Sequence, residues 1–168
     1  MFKPIKKNIR NQIKFSYLYV KQYKKFQKFI YYNHSKKHIF VKSKKVFDWF
    51  YKKNKIYNLV VAYKNKSIIG VQGFIPFSKF DNILKNYAFL AYWRVKKTKE
   101  LGVGLRLFKI IKNNNFKFTG VVGINNELIN YHKWQGFNTG KLDHHFFINN
   151  NLRAKKIIKF SKTKEFIK

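Results

Sequence analysis

Residues 99–105 read KELGVGL, and this stretch decides the fold more than any other part of the chain. It follows an aromatic and β-branched run at 87–95 and precedes a segment whose apolar residues recur at helical spacing. Two glycines at a helix start let backbone N–H groups approach a ligand closely, and the helix dipole adds partial positive charge there. The stretch is therefore predicted to be a strand-to-helix loop that binds a pyrophosphate.

Other glycine-containing phosphate loops do not fit this stretch. The dinucleotide pattern needs a third glycine where Leu107 stands, and no acidic residue follows at about 20 residues' distance. The P-loop pattern is not met either. On these residues alone, a plain helix start with tight packing remains an alternative to phosphate binding.

The flanking sequence predicts strands and helices in alternation. Runs 58–63 and 68–75 read as a hairpin, 118–124 as a strand and 126–135 as a helical segment. Two amphipathic helices are predicted in the first third, one carrying Tyr19, Tyr23, Phe26 and Ile30 and the next carrying Val46, Phe47, Trp49 and Phe50. The fold class is accordingly α/β (α+β), in a single domain.

The chain carries a formal charge of +32, from 38 Lys and Arg against six acidic residues. The cations are mostly Lys and are spread along the chain, which favours a diffuse field over a nucleic-acid reading surface. AT-rich codons would produce the same enrichment in Lys, Asn, Ile, Phe and Tyr. No transmembrane segment or signal peptide is predicted, so we expect a soluble, cytoplasmic protein whose oligomeric state the sequence leaves open.

Two downstream stretches, GINNE at 123–127 and YHKWQGF at 131–137, complete a pattern with the glycine loop. In this order the three stretches resemble the GNAT superfamily of N-acetyltransferases, with Lys99 where the family has Gln or Arg. The resemblance implies one GNAT domain over 1–168, with a core at about 40–148 and a basic C-terminal extension at 149–168. It also implies a central mixed, mostly antiparallel sheet flanked by helices.

The resemblance implies transfer of an acetyl group from acetyl-CoA to a primary amine by direct attack in a ternary complex. Strand and loop residues would bind the pantetheine arm and the pyrophosphate. The residues implied to bind acetyl-CoA are Trp93, Arg94, Val95, Lys99, Glu100, Leu101, Gly102, Val103, Gly104, Leu105 and Asn125.

Family members usually place a proton-donating Tyr four residues before the Gly of the Gly-Phe pair. His132 occupies that position here, and Tyr131 lies one residue earlier, so both are candidate catalytic residues. The sequence marks out no general base among its carboxylates. His34 and His38 have helical spacing but no third ligand, and the chain has no Cys, so no metal site is predicted.

The predicted acceptor is a small-molecule amine, with a nucleotide-linked amino sugar of a surface-polysaccharide pathway as the specific expectation. That expectation rests on a general resemblance of 43–51 and 136–148 to transferases of this kind. Two alternatives stay open. One is a non-enzymatic protein that binds nucleic acid or an anionic membrane, and the other is a GNAT-like protein that binds coenzyme A without turnover.

Overall fold

The computed structural model describes residues 12–97 and 100–141, in which a six-stranded sheet carries helices on both faces. The strands are β1 (Lys14–Tyr19), β2 (Lys52–Lys53), β3 (Ile56–Lys64), β4 (Ser67–Pro76), β5 (Tyr87–Val95) and β6 (Phe118–Val121). The helices are α1 (Tyr23–Asn33), α2 (Ile39–Lys42), α3 (Lys44–Tyr51), α4 (Val103–Lys112) and α5 (Ile129–Trp134). The chain forms two compact units, the first ending at Ile124 and the second starting at Asn125.

The sheet is mixed and mostly antiparallel, as predicted. Its order is β1-β3-β4-β5-β6, with β2 also paired to β3, and only β5 and β6 run parallel. The central strand β3 is buried continuously over 57–62, which is typical of a strand covered on both faces. The predicted hairpin is β3 and β4, and its turn holds Asn65 and Lys66 at φ of 50° and 65°.

Glycines in β4 show which helix covers which face of the sheet. A Cβ added at Gly70 would meet Val103 Cγ1 of α4 at 3.0 Å, whereas one at Gly73 would meet Tyr51 Cε1 of α3 at 2.6 Å. Helix α4 therefore packs on one face and α3 on the other. The α3 face holds the aromatic core, in which Phe47 contacts the rings of both Phe26 and Tyr57.

The first third of the chain differs from the prediction in two places and agrees with it in a third. Tyr19 does not belong to the first helix but ends β1, because alternating exposure along Lys14–Tyr19 fits an edge strand paired with β3. The one-turn helix α2 was not predicted. The second predicted helix is α3, whose first turn is capped by Ser43 Oγ accepting from the Val46 N–H at 3.3 Å.

Towards the end of the sheet, β6 is shorter than the predicted run and stops at Val121. The 126–135 helical segment is a 3-10 turn followed by α5. Lys99 and the predicted extension 149–168 lie outside the described residues. Within 12–97 and 100–141, no helix combines the length and apolar character needed to cross a bilayer.

Candidate active site

The second half of β5 continues past the strand beside it. Pairing with β6 covers only 87–90, while pairing with β4 extends to Val95. In that extension Gln72 pairs with Trp93 and Gly73 with Ala91, so Tyr92 is the extra residue of a β-bulge and has a φ of 49°. Bulges of this kind occur next to active sites, where they redirect the backbone and its side chains.

The helix that follows begins at a left-handed glycine. Gly102 has a φ of 74°, no side chain caps the helix, and the Arg106 N–H bonds the Gly102 carbonyl at 3.0 Å. The N–H groups of Val103, Gly104 and Leu105 come before the first intrahelical donor and lack an acceptor within the helix. Among residues 12–97 and 100–141, nothing lies within 4 Å of a Cβ added at Gly102. These features make the start of α4 suited to an anion.

Close packing joins the β5 extension to the start of α4. A Cβ added at Gly104 would meet Trp93 Cζ2 at 2.8 Å, so only glycine admits the indole ring there. On the neighbouring strand, Gly70 similarly admits Val103 and Leu107. At each of these positions, the lack of a side chain leaves room for a neighbouring residue. The bulged strand end and the helix start are thereby held side by side.

Lysines dominate the charge around the loop. Lys96 and Lys97 are exposed, whereas the Lys64 ammonium forms an ion pair with the Glu100 carboxylate. The Arg106 guanidinium instead lies over the Phe15 ring, 4.5 Å from its centroid. Lys64 therefore neutralises the Glu100 carboxylate, which does not add negative charge to the loop.

The predicted coenzyme-binding side chains have structural contacts of their own. Arg94 Nε donates to the Asn33 carbonyl at 2.8 Å, at the C-terminal end of α1, and Leu101 is 94% exposed. Of these side chains, Trp93 packs against Gly104 at the start of α4, whereas Arg94 is directed at α1 and Leu101 at solvent. Asn125 starts the second unit, where its Oδ1 accepts from the Glu127 N–H at 3.4 Å.

Within the second unit, the two candidate proton donors differ in chemistry. His132 is 3% exposed, and its Nδ1 lies 2.8 Å from the Leu128 carbonyl oxygen. Since a carbonyl only accepts, Nδ1 carries the proton of this contact. Burial raises the pKa of Tyr131, so its phenol keeps a proton at neutral pH.

One polar cluster was missed by the sequence analysis. His34 and His38 do not share a helix, because α1 ends at Asn33 and α2 begins at Ile39. His34 Nδ1 instead lies 3.1 Å from Tyr92 Oη, and the His38 ring lies 5.2 Å from the Tyr92 ring. Among the described residues, no three His, Asp or Glu side chains are grouped to hold a metal. No short-range spacing in the sequence indicates the cluster, since Tyr92 on β5 is 58 residues from His34.

No protein-family model and no curated protein sequence matches the chain, whereas many solved structures share its fold. The glucosamine-6-phosphate N-acetyltransferase of Arabidopsis thaliana aligns at TM-score 0.56 and 9% identity, over 82% of this chain and 99% of its own. A diaminobutyrate acetyltransferase from Paenibacillus lautus, in complex with its substrate and coenzyme A, aligns at 0.51 and 8%, over 75% and 74%. A transcriptional regulator from Bacillus halodurans aligns at 0.54 and 15%, over 80% and 100%. The chain thus has the fold of GNAT acetyltransferases.

Proposed function

We propose that this protein is an N-acetyltransferase that moves an acetyl group from acetyl-CoA to a primary amine within a ternary complex. The observation that carries the proposal is the bulge at Tyr92 in the β5 extension, held by Trp93 and Gly104 against the glycine start of α4. A strand edge and a helix N-terminus in one place offer hydrogen bonds to an extended amide chain and to a pyrophosphate. Acetyl-CoA contains both, and its thioester supplies the acyl group.

The residues present fit acetyl-CoA by their donors and charges. The N–H groups of Val103, Gly104 and Leu105 would bind the pyrophosphate, and the open side of Gly102 would admit it. Exposed Lys96 and Lys97 would offset the phosphate charges. Lys99, outside the described residues, is proposed to add to them. The backbone of 93–95 would pair with the pantetheine amides.

Catalysis on this chain would use backbone dipoles and one proton donor. A backbone N–H near the β5 bulge would stabilise the oxygen that gains negative charge as the amine attacks, an effect worth about 3 kcal/mol for one well-placed donor. Tyr131 is the proton donor that we propose for the leaving thiolate, because burial keeps its phenol protonated, whereas the Nδ1–H of His132 is directed at the Leu128 carbonyl. Neither role requires a metal ligand.

A phosphorylated amino sugar, in particular a nucleotide-linked sugar of a surface-polysaccharide pathway, is the acceptor that we propose. Its amine is a primary amine, and its phosphates are attracted to a chain with a formal charge of +32. One protein of this fold is a glucosamine-6-phosphate N-acetyltransferase, which supports this class as the first to test. We place the reaction in the cytoplasm, where acetyl-CoA and nucleotide-linked sugars are both available.

The proposal is tested by following coenzyme A release from acetyl-CoA with glucosamine 6-phosphate and other primary amines. Gly102→Val should reduce acetyl transfer and acetyl-CoA affinity by at least about tenfold, because a β-branched side chain disfavours the left-handed backbone and enters the open side of the loop. Gly140→Val is the matched control, since a Cβ there also meets none of the described residues within 4 Å but the backbone is not left-handed. Equal affinity in folded Gly102→Val and wild-type protein would refute this site.

The proton donor is identified by replacing each candidate separately. Tyr131→Phe should lower kcat by about 10²-fold and leave acetyl-CoA affinity unchanged, because it removes only the hydroxyl. His132→Gln should retain a higher kcat than Tyr131→Phe. Its main effect should be a lower free energy of unfolding, because the buried ring is removed. The opposite ranking of kcat values would assign the proton to His132.

A further inference from the structure

A polar cluster lies between α1 and α2, facing the bulge in β5. It consists of His34 at the end of α1, His38 at the start of α2, and Tyr92 and Arg94 on β5. His34 Nδ1 is 3.1 Å from Tyr92 Oη, and the two imidazole rings are 4.7 Å apart. In the part of the chain that the structure describes, these are the titratable and charged side chains that contact or act on His34 from the packed elements.

The position of this cluster relates it to the proposed chemistry. Tyr92 is the bulge residue, and it lies beyond the point where pairing with β6 ends. The same stretch of backbone is the one to which the acyl donor is assigned above. His34, at the end of α1, is exposed and contacts Tyr92 of that stretch, so an acceptor amine from solvent can reach its ring. The acceptor's ammonium group must lose a proton before its nitrogen can attack, and neither the backbone N–H donor nor Tyr131 takes up that proton.

Only one of the two histidines can take up that proton without losing a structural bond. His38 Nδ1 accepts the Phe40 N–H at 3.1 Å and thereby caps α2, so its neutral ring carries its proton on Nε2. Protonating His38 would require this same Nδ1 lone pair. His38 is therefore a helix cap, and His34 is the remaining candidate.

His34 can accept a proton on the nitrogen that does not face Tyr92. When Nδ1–H donates to Tyr92 Oη, the lone pair of Nε2 is left for an incoming group. Partial desolvation of the ring, and secondly the charge of Arg94, lower the pKa of His34, so the ring is neutral near pH 7. Burial also raises the pKa of Tyr92, so its hydroxyl stays protonated and is a neutral partner.

We propose that His34 is the general base of the acetyl transfer, accepting at Nε2 a proton from the ammonium group of the acceptor. The N–H electron pair becomes the amine lone pair, the imidazole becomes imidazolium, and the amine is then able to form its N–C bond as the C–S bond breaks. The Nδ1–H bond to Tyr92 Oη holds the ring throughout, and the proton afterwards leaves to solvent. This assignment rests on the function proposed above.

The first test reads the tautomer directly and needs no acceptor. In ¹⁵N-histidine NMR of the full chain saturated with coenzyme A, the neutral His34 ring should carry its proton on Nδ1, with Nε2 unprotonated. His34→Gln identifies the signal. A neutral ring with its proton on Nε2 would overturn the proposal whatever the outcome of the activity assays, because no lone pair would face the acceptor.

The second test compares acetyl transfer to glucosamine 6-phosphate, spermidine and an alanine-initiated peptide. His34→Gln should lower kcat/KM by about 10² to 10⁴-fold with unchanged coenzyme A affinity, and it should remove the fall in rate that wild-type enzyme shows below the His34 pKa. His38→Asn, whose side-chain oxygen can keep the α2 cap, is the matched control and should retain that acid limb. Added imidazole should partly restore His34→Ala, which a purely structural role would not allow.

The outcomes separate this inference from the function beneath it. An active His34→Gln variant with an unchanged pH profile would overturn the base assignment and leave acetyl transfer standing. If wild-type protein binds no acetyl-CoA, the proposed function fails and the base assignment fails with it. If wild-type protein binds acetyl-CoA but acetylates none of the three probes, the tautomer of His34 decides the inference by itself.

Discussion

At Gly104 a hydrogen atom in place of a side chain lets the Trp93 indole lie against the first turn of α4. A methyl group there would stand 2.8 Å from Trp93 Cζ2, well inside contact distance of a rigid ring. Gly104→Ala should therefore shift the ring or the helix, lowering the free energy of unfolding by about 1 to 3 kcal/mol and weakening acetyl-CoA binding. Thermal unfolding and titration calorimetry measure the two effects.

The matched control is the next residue along the helix. Leu105→Ala changes an exposed side chain and keeps the backbone N–H, so its unfolding free energy should stay within about 0.5 kcal/mol of wild type. An equal loss in both variants would mean that α4 tolerates no change at its start, and the contact with Trp93 would then carry no special weight.

Single residues also show where sequence reasoning reached its limit. The paired glycines were informative because glycine alone adopts the backbone and the spacing that the α4 start needs. The contact of His34 with Tyr92 was not predictable, since the two are 58 residues apart and meet through a bulge that no local pattern marks. The roles of Tyr131 and His132 remain predictions.

Among the elements, the β3–β4 hairpin offers a clean test of turn chemistry. Asn65 and Lys66 both have positive φ, the conformation in which two-residue hairpin turns favour Asn followed by Gly. Lys66→Gly should raise the free energy of unfolding by about 0.5 to 1 kcal/mol, measured by urea denaturation. Lys53→Gly, the same change within strand β2, should lower it by a similar amount. A loss of stability in Lys66→Gly would contradict this description of the turn.

Helix α3 is joined to β3 through one carboxylate. Asp48 pairs with Lys44, and it accepts the hydroxyl of buried Tyr57 at 2.6 Å. Partial burial raises the pKa of Asp48, but the bonds from Lys44 and Tyr57 and the nearby lysine charges outweigh it, so the net shift is downward. A lowered pKa means that the carboxylate stabilises the fold above about pH 4 and that this stabilisation is lost as the pH falls through the folded-state value.

Asp48→Asn should thus cost about 1 kcal/mol at pH 7, because a charge-assisted hydrogen bond becomes a neutral one. The difference from wild type should shrink as the pH falls below about 4 and vanish once the carboxylate is protonated in the folded protein. Denaturation across this pH range measures it, with exposed Asp81→Asn as the control expected to change little. A difference that is independent of pH would show that Asp48 acts through its shape and not its charge.

Sequence patterns predicted elements unevenly. The strand at 87–95 and the hairpin were found because β-rich runs end at clear polar turns. Strand β1 was missed because its exposed lysine and tyrosine positions at the edge of the sheet imitate the polar face of a helix. Helix α2 was missed because its single turn is too short to show a helical period in the sequence.

At the scale of the whole molecule, the main electrostatic feature is the excess of cationic side chains. With a formal charge of +32, it should attract any polyanion at low ionic strength, whether or not a specific site exists. Composition therefore could not decide between a coenzyme site and a nucleic-acid or membrane surface. The fold distinguishes the two kinds of binding, because the backbone N–H donors at the start of α4 are local and directional, whereas the field of the lysines is diffuse.

The measurement that tests the central claim most directly is calorimetric titration of acetyl-CoA into the protein at about 0.05 M and about 0.5 M NaCl, with inorganic polyphosphate as the control ligand. We predict saturable one-to-one binding of acetyl-CoA whose Kd rises by less than about tenfold at the higher salt, while polyphosphate binding is lost. Acetyl-CoA binding that disappears together with polyphosphate binding would contradict the claim and favour a general polyanion-binding surface.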